Sequence, residues 1–149
     1  MQDKYSYETD LIWTGARTGI LEGSGLPHMR VSAPLEFAGE PGAWTPEQML
    51  VGATASCLMT TFAALSELSG LAVNFFRVKA TGTLEKIPGE GYRFTEVHLA
   101  PEVGVFPGDM EKAGRVLSKA EKSCFISSSL RATVHVEPTF VPVTIEVAH

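Results

Sequence analysis

The 149-residue chain is poor in cysteine and in clustered positive charge. Its two cysteines are too few and too far apart for the disulfide framework of a small secreted protein. Its twelve basic residues are scattered singly and its net charge is −5, which excludes a nucleic-acid surface because phosphates require clustered Lys and Arg. The first residues contain no apolar stretch typical of a secretion signal. We therefore expect a cytoplasmic protein whose two thiols are either inert and buried or form a redox pair.

Composition and apolar periodicity indicate one domain over residues 1–149. With 44% hydrophobic and 19% charged residues, the chain has the profile of a soluble globular fold. The predicted elements are short antiparallel strands within 5–37, a helix over 48–66, a hairpin over 76–99, a helix over 110–124, and closing strands at 132–137 and 141–147. This order of strands, helix, hairpin, helix and strands predicts an α+β fold with a mostly antiparallel sheet and two main helices.

The first predicted helix is unusual because residues 48–66 carry no formal charge. Thr45 suits the N-cap, Pro46 the first helical position, and Gly70 the end of the helix. The segment is long enough to cross a bilayer, but its Ser, Thr and Gln side chains are too polar for a membrane span. We therefore expect a helix buried in protein on nearly every side, with no membrane contact.

A stripe of small side chains recurs every four residues along this helix. This small-residue stripe consists of Gly52, Ser56, Thr60 and Ala64. Small residues at this spacing let a second helix approach closely. Two interpretations stay open at this point: a helix–helix contact in a homodimer, or an ordinary core helix that packs on its own sheet.

The two cysteines lie in different predicted helices. Cys57 is in the apolar helix, where a single cysteine is more often a small buried hydrophobe than a nucleophile. Cys124 lies where the second helix gives way to a polar serine run, so we expect it to be the more accessible of the two. As a redox pair, one thiolate would attack a peroxide and become a sulfenic acid, and the other thiol would condense with it to form a disulfide. Because the chain has no C-x-x-C motif, an external dithiol would have to reduce that disulfide.

A nucleophilic Cys57 needs a group that stabilises its thiolate. It lies about three turns from the start of its helix, beyond the reach of the helix dipole. We therefore expect a positive side chain to supply the stabilisation, and arginine suits because it never loses its charge. A buried arginine in turn needs a carboxylate partner. The residue pattern alone leaves open which arginine and which carboxylate serve.

Two stretches resemble the OsmC/Ohr family of organic hydroperoxide reductases. They are TPEQMLVGATASCLMTTFAAL, which contains Cys57, and AEKSCFISSSLRATVHV, which contains Cys124. The resemblance implies an OsmC-like domain that forms an intertwined homodimer with its central helices buried between the sheets. It also implies that Cys57 attacks the peroxide and Cys124 resolves the product. No bound cofactor is implied, and the external reductant would be a dithiol, which in the Ohr branch is of the lipoyl type.

The resemblance further implies that Glu47 pairs with an arginine near the thiol. Arg17, in the stretch TGARTG, matches the family's arginine, and Arg30 is the rival for this role. Ten residues of helix span about 15 Å and separate Glu47 from Cys57 by about 80° of rotation, so these side chains cannot touch within one helix. If both serve one site, Glu47 comes from the partner subunit or acts through Arg17.

Three positions depart from the family pattern. Phe125 follows the second cysteine where Pro is usual, Leu58 follows the first where Phe is common, and Ala16 precedes the arginine in place of Gly. These departures favour a broader OsmC-like branch and leave the preferred peroxide and the reductant open.

The leading hypothesis is a thiol peroxidase that acts on organic hydroperoxides and less efficiently on hydrogen peroxide. The alternative is an OsmC-like dimer that binds an apolar small molecule without peroxidase activity. An apolar pocket beside Cys57 would suit either function. Its candidate walls, which ordinary core packing explains equally well, are Trp44, Met49, Met59 and Phe62. No histidine has metal-ligand spacing with either cysteine, so we expect no metal site and interpret His28, His98 and His135 as strand or loop residues.

Overall fold

The computed structural model of the protein describes residues 2–144. These residues form two compact units, one up to Leu50 and one from Val51 onward. The expectation of a single domain over residues 1–149 stays a prediction.

The N-terminal unit contains a three-stranded antiparallel sheet in the order β1–β2–β3. Its strands are β1 (Asp10–Gly15), β2 (Thr18–Glu22) and β3 (Met29–Ser32). The turn between β1 and β2 has positive φ at Gly15 (121°) and at Ala16 (47°). Glycine adopts this region freely, whereas alanine there is uncommon. The turn leads directly into Arg17, and the prediction of short antiparallel strands in this part of the chain is confirmed.

The first long helix, α1 (Pro46–Leu68), begins where the sequence predicts and ends just before Gly70. The Thr45 hydroxyl accepts a hydrogen bond from the backbone N–H of Gln48 (3.0 Å), and the Gln48 side-chain oxygen accepts one from the backbone N–H of Thr45 (3.2 Å). This reciprocal pair is a capping box, which satisfies two N–H groups that a helix start would otherwise leave free. At the other end Gly70 has a φ of 69°, and the residue after it donates to a carbonyl of the last turn (2.9 Å), as in a Schellman termination.

The C-terminal unit is built on a long antiparallel hairpin that α2 and two short strands complete. Its elements after α1 are β4 (Val73–Ile87), β5 (Gly91–Val105), α2 (Met110–Ser123), β6 (Thr133–Val136) and β7 (Thr139–Pro142). Both β6 and β7 run parallel to β5. A helix that returns the chain along a sheet makes the following strand parallel to the preceding one, which explains the β5–α2–β6 pairing. The α+β fold with a mostly antiparallel sheet is confirmed, with two short parallel pairs in addition.

Two strand boundaries differ from the prediction. The hairpin extends to Val105, past Pro101 and Gly104, two residue types that sequence patterns disfavour inside strands. The last predicted strand, over 141–147, corresponds to β7 as far as Pro142, and its positions from 145 onward lie outside the described residues.

The core of the C-terminal unit forms where the helices meet the hairpin. Leu58 and Phe62 of α1 are buried, as are Val97 and Leu99 of β5. The Phe62 ring stacks on that of Phe76 in β4, with centroids 5.2 Å apart. The apolar stripe predicted for α2 is also confirmed as buried, at Ala113, Val116, Leu117 and Ala120. Both helices therefore contribute their predicted apolar residues to this core.

The expectation that α1 is buried on nearly every side is wrong for the single chain. The buried residues of α1 form one line at helical spacing, namely Thr54, Leu58, Phe62 and Ser66. Only 22% of the most apolar 18-residue segment of α1 is buried, because one sheet can cover only one side of a helix. Ser56, Thr60 and Ala64 of the small-residue stripe are exposed. Among residues 2–144, α1 is the one helix that is long and apolar enough to cross a membrane (mean hydropathy 1.5). The core helix of a soluble protein meets the same criteria of length and composition.

Candidate active site at the two cysteines

Cys57 lies near the middle of α1 and is partly exposed. It directly precedes the buried Leu58, so its side chain lies at the flank of the buried line. Its Sγ is 4.0 Å from the hydroxyl of Thr61. Residues four apart share one face of a helix, so α1 itself provides this polar partner.

Cys124 lies at the C-cap of α2, where the backbone changes from helical to extended (ψ 115°). The following residues form a short 3-10 turn, in which the Ser128 N–H donates to the carbonyl of Cys124 (3.1 Å). The Ser127 hydroxyl donates to the Cys124 sulfur (3.3 Å). Cys124 is only 2% exposed, so the expectation that it is the more accessible cysteine is wrong. The serine run folds back over the thiol instead of leaving it open to solvent.

The two cysteine side chains come together in the C-terminal unit. The side chain of Cys124 is close enough to Cys57 to lower the pKa of the Cys57 thiol. A cysteine in each of two helices can meet only if the helices lie near each other at that point, and Leu58 of α1 lines the same cavity as Cys124 at the end of α2. This proximity is the first requirement for a disulfide between Cys57 and Cys124.

Hydrogen bonds make Cys57 more acidic than an ordinary cysteine. Burial raises the pKa of this thiol because it disfavours the charged form, but hydrogen bonds to the sulfur outweigh burial and leave its pKa below the ordinary value. The groups that lower it, in decreasing order of effect, are the backbone N–H of Ile126, the Cys124 side chain, the Thr61 side chain and the backbone N–H of Phe125. A lowered pKa increases the fraction of thiolate, which is the nucleophilic form.

The groups that lower the pKa of Cys57 within the single chain are neutral donors, and the expectation that a cation also stabilises this thiolate stays a prediction. The chain just after α2 presents backbone N–H groups to the sulfur. Phe125 and Ile126 were missed at the sequence level because a backbone N–H carries no signal in the residue type. Thr61 carried a usable signal, since it stands four residues after Cys57 in a predicted helix.

Arg17 and Arg30, the two candidate cations, both lie in the N-terminal unit and have different partners. Arg17 donates through Nη1 to the carbonyl of Phe37. Arg30 forms an ion pair with Glu40 and therefore already has a carboxylate partner. The roles predicted for Arg17 and for Glu47 at the thiol stay predictions.

Glu47 lies in the first turn of α1, where the helix dipole favours a carboxylate. Its Oε1 is inaccessible to solvent and accepts no hydrogen bond from any residue between 2 and 144. A buried carboxylate oxygen without a donor is costly. This atom therefore marks a position where the single chain lacks a hydrogen-bond donor.

Each unit has a cavity next to predicted site residues. In the C-terminal unit a cavity of about 300 Å³ lies beside Cys124. Its walls are Leu58, Leu99, Val134 and Val136 on the apolar side and Glu121, Lys122, Ser127 and Ser128 on the polar side. In the N-terminal unit Arg17 contributes to a mainly apolar cavity of about 260 Å³. Both volumes are at the small end of the range for ligand pockets.

The residues predicted to wall an apolar pocket beside Cys57 line neither cavity. Phe62 is a core residue, 1% exposed, so ordinary packing is the correct interpretation for it. Trp44 and Met59 are exposed in the single chain. Leu58, named at the sequence level only as a departure from the family pattern, is the α1 residue that does line the cavity beside Cys124.

Comparison with known proteins matches most of the chain to one family. The family model described as OsmC-like protein matches residues 39–139. The chain is also 30% identical over 131 residues to the uncharacterized protein YmaD of Bacillus subtilis. This match covers 84% of this chain and 86% of that protein.

Solved structures share the fold. An OsmC-like protein of unknown function from Vibrio cholerae superposes with a TM-score of 0.82 at 21% identity, over 91% of this chain and 100% of that one. A protein from Legionella pneumophila, described as organic hydroperoxide resistance protein OsmC, superposes with a TM-score of 0.73 at 25% identity, over 94% of this chain and 100% of that one. The predicted OsmC-like fold with two main helices is thereby confirmed.

Proposed function

Because this chain belongs to the OsmC family, we propose that it is a cysteine-based peroxidase that reduces organic hydroperoxides to alcohols, and hydrogen peroxide less efficiently. The observation that carries the proposal is the proximity of Cys124 to Cys57, together with the lowered pKa of Cys57. A relative described as an organic hydroperoxide resistance protein supports the same substrate class.

In the first step the Cys57 thiolate attacks one peroxide oxygen. The S–O bond forms as the O–O bond breaks, Cys57 becomes a sulfenic acid, and the leaving alkoxide takes a proton and departs as the alcohol. The N–H groups of Phe125 and Ile126 hold the thiolate before the attack. The cavity beside Cys124, with its apolar wall, suits the alkyl group of an organic peroxide.

In the second step Cys124 attacks the sulfenic sulfur. A Cys57–Cys124 disulfide forms and water leaves, which protects Cys57 from irreversible oxidation to sulfinic acid. An external dithiol then reduces the disulfide by two thiol exchanges and is itself oxidised to a disulfide. This cycle needs a compartment that keeps dithiols reduced, so we propose a cytoplasmic location and a dithiol reductant of the lipoyl type.

We propose that the enzyme works as a homodimer in which α1 packs against α1 of a second copy. The exposed small-residue stripe supports this arrangement, because small side chains let two helices approach closely. An apolar helix with one buried side needs a second apolar surface, and a partner copy supplies one without a membrane. The orphaned Oε1 of Glu47 would then accept from Arg17 of either copy, and this pair would further stabilise the thiolate.

A peroxide-consumption assay tests the proposal. Purified protein is mixed with cumene hydroperoxide and dithiothreitol or dihydrolipoamide, and the loss of peroxide is followed. We expect Cys57→Ser to abolish turnover. We expect Cys124→Ser, treated with one equivalent of peroxide before any dithiol is added, to hold one sulfenic acid per chain, which dimedone captures at Cys57. The matched control is Ser118→Ala on the exposed side of α2, which should keep wild-type turnover.

Counting thiols separates the peroxidase from the alternative function. The chain has two cysteines, so one equivalent of peroxide should convert two free thiols into one intramolecular disulfide. Unchanged turnover in Cys57→Ser would end the peroxidase proposal. Two thiols that persist in excess peroxide would instead favour a dimer that binds an apolar small molecule in the cavity beside Cys124.

A further inference from the structure

Three potential metal ligands converge where β5 pairs with β6. His98 and His135 are direct partners in the parallel register of these strands. Glu96 stands two residues before His98, so both side chains project from the same face of β5. The intervening Val97 is fully buried, so the three ligands lie on the face opposite the core. We name these three residues the histidine–glutamate cluster.

The distances within the cluster suit a tetrahedral ion. Glu96 Oε2 is 3.4 Å from Nε2 of His98, and Glu96 Oε1 is 3.5 Å from Nε2 of His135. Ligands bound to zinc at roughly 2.0–2.2 Å in a tetrahedron are about 3.3–3.6 Å from one another. Ligand atoms of all three residues lie within 4.8 Å of one another, so a shift of roughly an ångström would complete the arrangement.

The environment of His135 is a second, independent observation. Its Nε2 is inaccessible to solvent and makes no hydrogen bond among residues 2–144, although the Glu96 carboxylate lies 3.5 Å away and the His135 side chain as a whole is 39% exposed. The two imidazole rings stack, with centroids 4.6 Å apart and planes 14° from parallel. A ring nitrogen that is shielded from water and makes no hydrogen bond is costly, and a cation bound between this nitrogen and the Glu96 carboxylate would serve both atoms.

We propose that Glu96, His98 and His135 form a binding site for a divalent transition-metal ion of the zinc class. Two imidazoles and one carboxylate suit zinc and its neighbours, whereas magnesium and calcium prefer oxygen ligands alone. Three protein ligands leave a fourth position for water. The proposal uses none of the residues of the proposed peroxidase, so either can fail without the other.

The ion would join β6 to β5. β6 has only four residues and carries one of the three ligands, while β5 carries the other two. The segment from Cys124 to β6 contains the backbone N–H groups that act on Cys57. Binding would therefore stabilise the strand that anchors this segment.

Zinc titration of the full-length, tag-free protein tests the site. Chelator-treated protein is titrated with zinc in a calorimeter, and the thermal midpoint is recorded with and without the metal. A Cys57→Ser/Cys124→Ser background excludes binding by the thiols. We expect one ion per chain, a rise in the midpoint, and an intense visible spectrum when cobalt(II) replaces zinc.

Variants at the cluster identify the ligands. Loss of a residue that merely orients a metal ligand already costs about 10- to 100-fold in affinity, so His98→Ala and His135→Ala should each weaken zinc binding by at least about 100-fold. Glu96→Gln keeps the shape of the side chain and should weaken binding without a change in fold. The matched control is His28→Ala, since His28 lies outside the cluster and contacts Glu22 at 3.8 Å.

Three outcomes would overturn the proposal. The first is the absence of zinc binding by the cysteine-free protein, and the second is equal binding by His98→Ala and the His28→Ala control. The third is equal affinity for calcium, which would indicate general attraction to carboxylates. If an alanine variant does not fold, the cobalt spectrum of the cysteine-free protein decides, because a tetrahedral site gives intense bands and free aqueous cobalt(II) does not.

Discussion

Gly52 offers a direct test of the proposed α1–α1 packing because its replacement has opposite effects in a monomer and in a dimer. In the single chain, a Cβ built on Gly52 meets no atom within 4 Å. Glycine inside a helix costs about 0.5–1 kcal/mol relative to alanine. If the chain works alone, Gly52→Ala should therefore stabilise it by that amount, or by about 1–4 °C in thermal midpoint for a chain of this size.

A close helix–helix contact would make the same substitution destabilising. A dimer in which the small-residue stripe faces its copy would receive a new methyl group on each helix at the point of closest approach. Extra methyl groups in a well-packed interface cost about 1–3 kcal/mol each, which exceeds the gain in helix propensity. We therefore expect Gly52→Ala to weaken the dimer and lower the thermal midpoint.

Gly114→Ala on α2 is the matched reference. A Cβ there comes no closer than 4.0 Å to the ring of Phe140, which is ordinary contact. This variant should raise the free energy of unfolding by about 0.5–1 kcal/mol, whether the protein is a monomer or a dimer. Thermal and urea unfolding at several protein concentrations, together with sedimentation velocity, would measure both variants. A gain in Gly52→Ala equal to that in Gly114→Ala, with unchanged sedimentation, would refute the reasoning.

Three other predictions follow from the site and the core. Cys124→Ala removes a group that lowers the pKa of Cys57, so that pKa should rise, the thiolate fraction at neutral pH should fall, and alkylation by iodoacetamide should slow. Cys124→Ser keeps a hydroxyl donor and should react faster than Cys124→Ala at the same pH, whereas equal rates would contradict this role of the Cys124 side chain. Phe62→Ala should lower the free energy of unfolding, measured with urea, by about 3–5 kcal/mol because the side chain is 1% exposed. A loss below about 1 kcal/mol would place Phe62 outside the core. Gly82→Ala should lower the free energy of unfolding by about 1–3 kcal/mol in the same measurement, because its Cβ would lie 2.5 Å from a methyl group of Val51. An unchanged urea midpoint would mean that α1 lies farther from β4.

The sequence by itself determined the local structure of this protein. The start of α1 follows from Thr45 and Pro46, and its end from Gly70, because capping and termination depend on hydrogen bonds within a few residues. The apolar stripe of α2 follows from helical periodicity in the same way. The two cysteine motifs, and with them the family, were also visible in the residues alone.

Tertiary structure decided the chemistry of the site. Whether Cys57 meets Cys124 depends on the packing of two helices that are far apart in the chain, and no local pattern encodes it. The burial of Cys124 follows from how the serine turn folds back over it, and the backbone N–H groups near Cys57 follow from where α2 ends. Likewise, His98 and His135 meet only through the register of β5 with β6. Local patterns reflect contacts between near neighbours, whereas these contacts depend on which distant surfaces pack together.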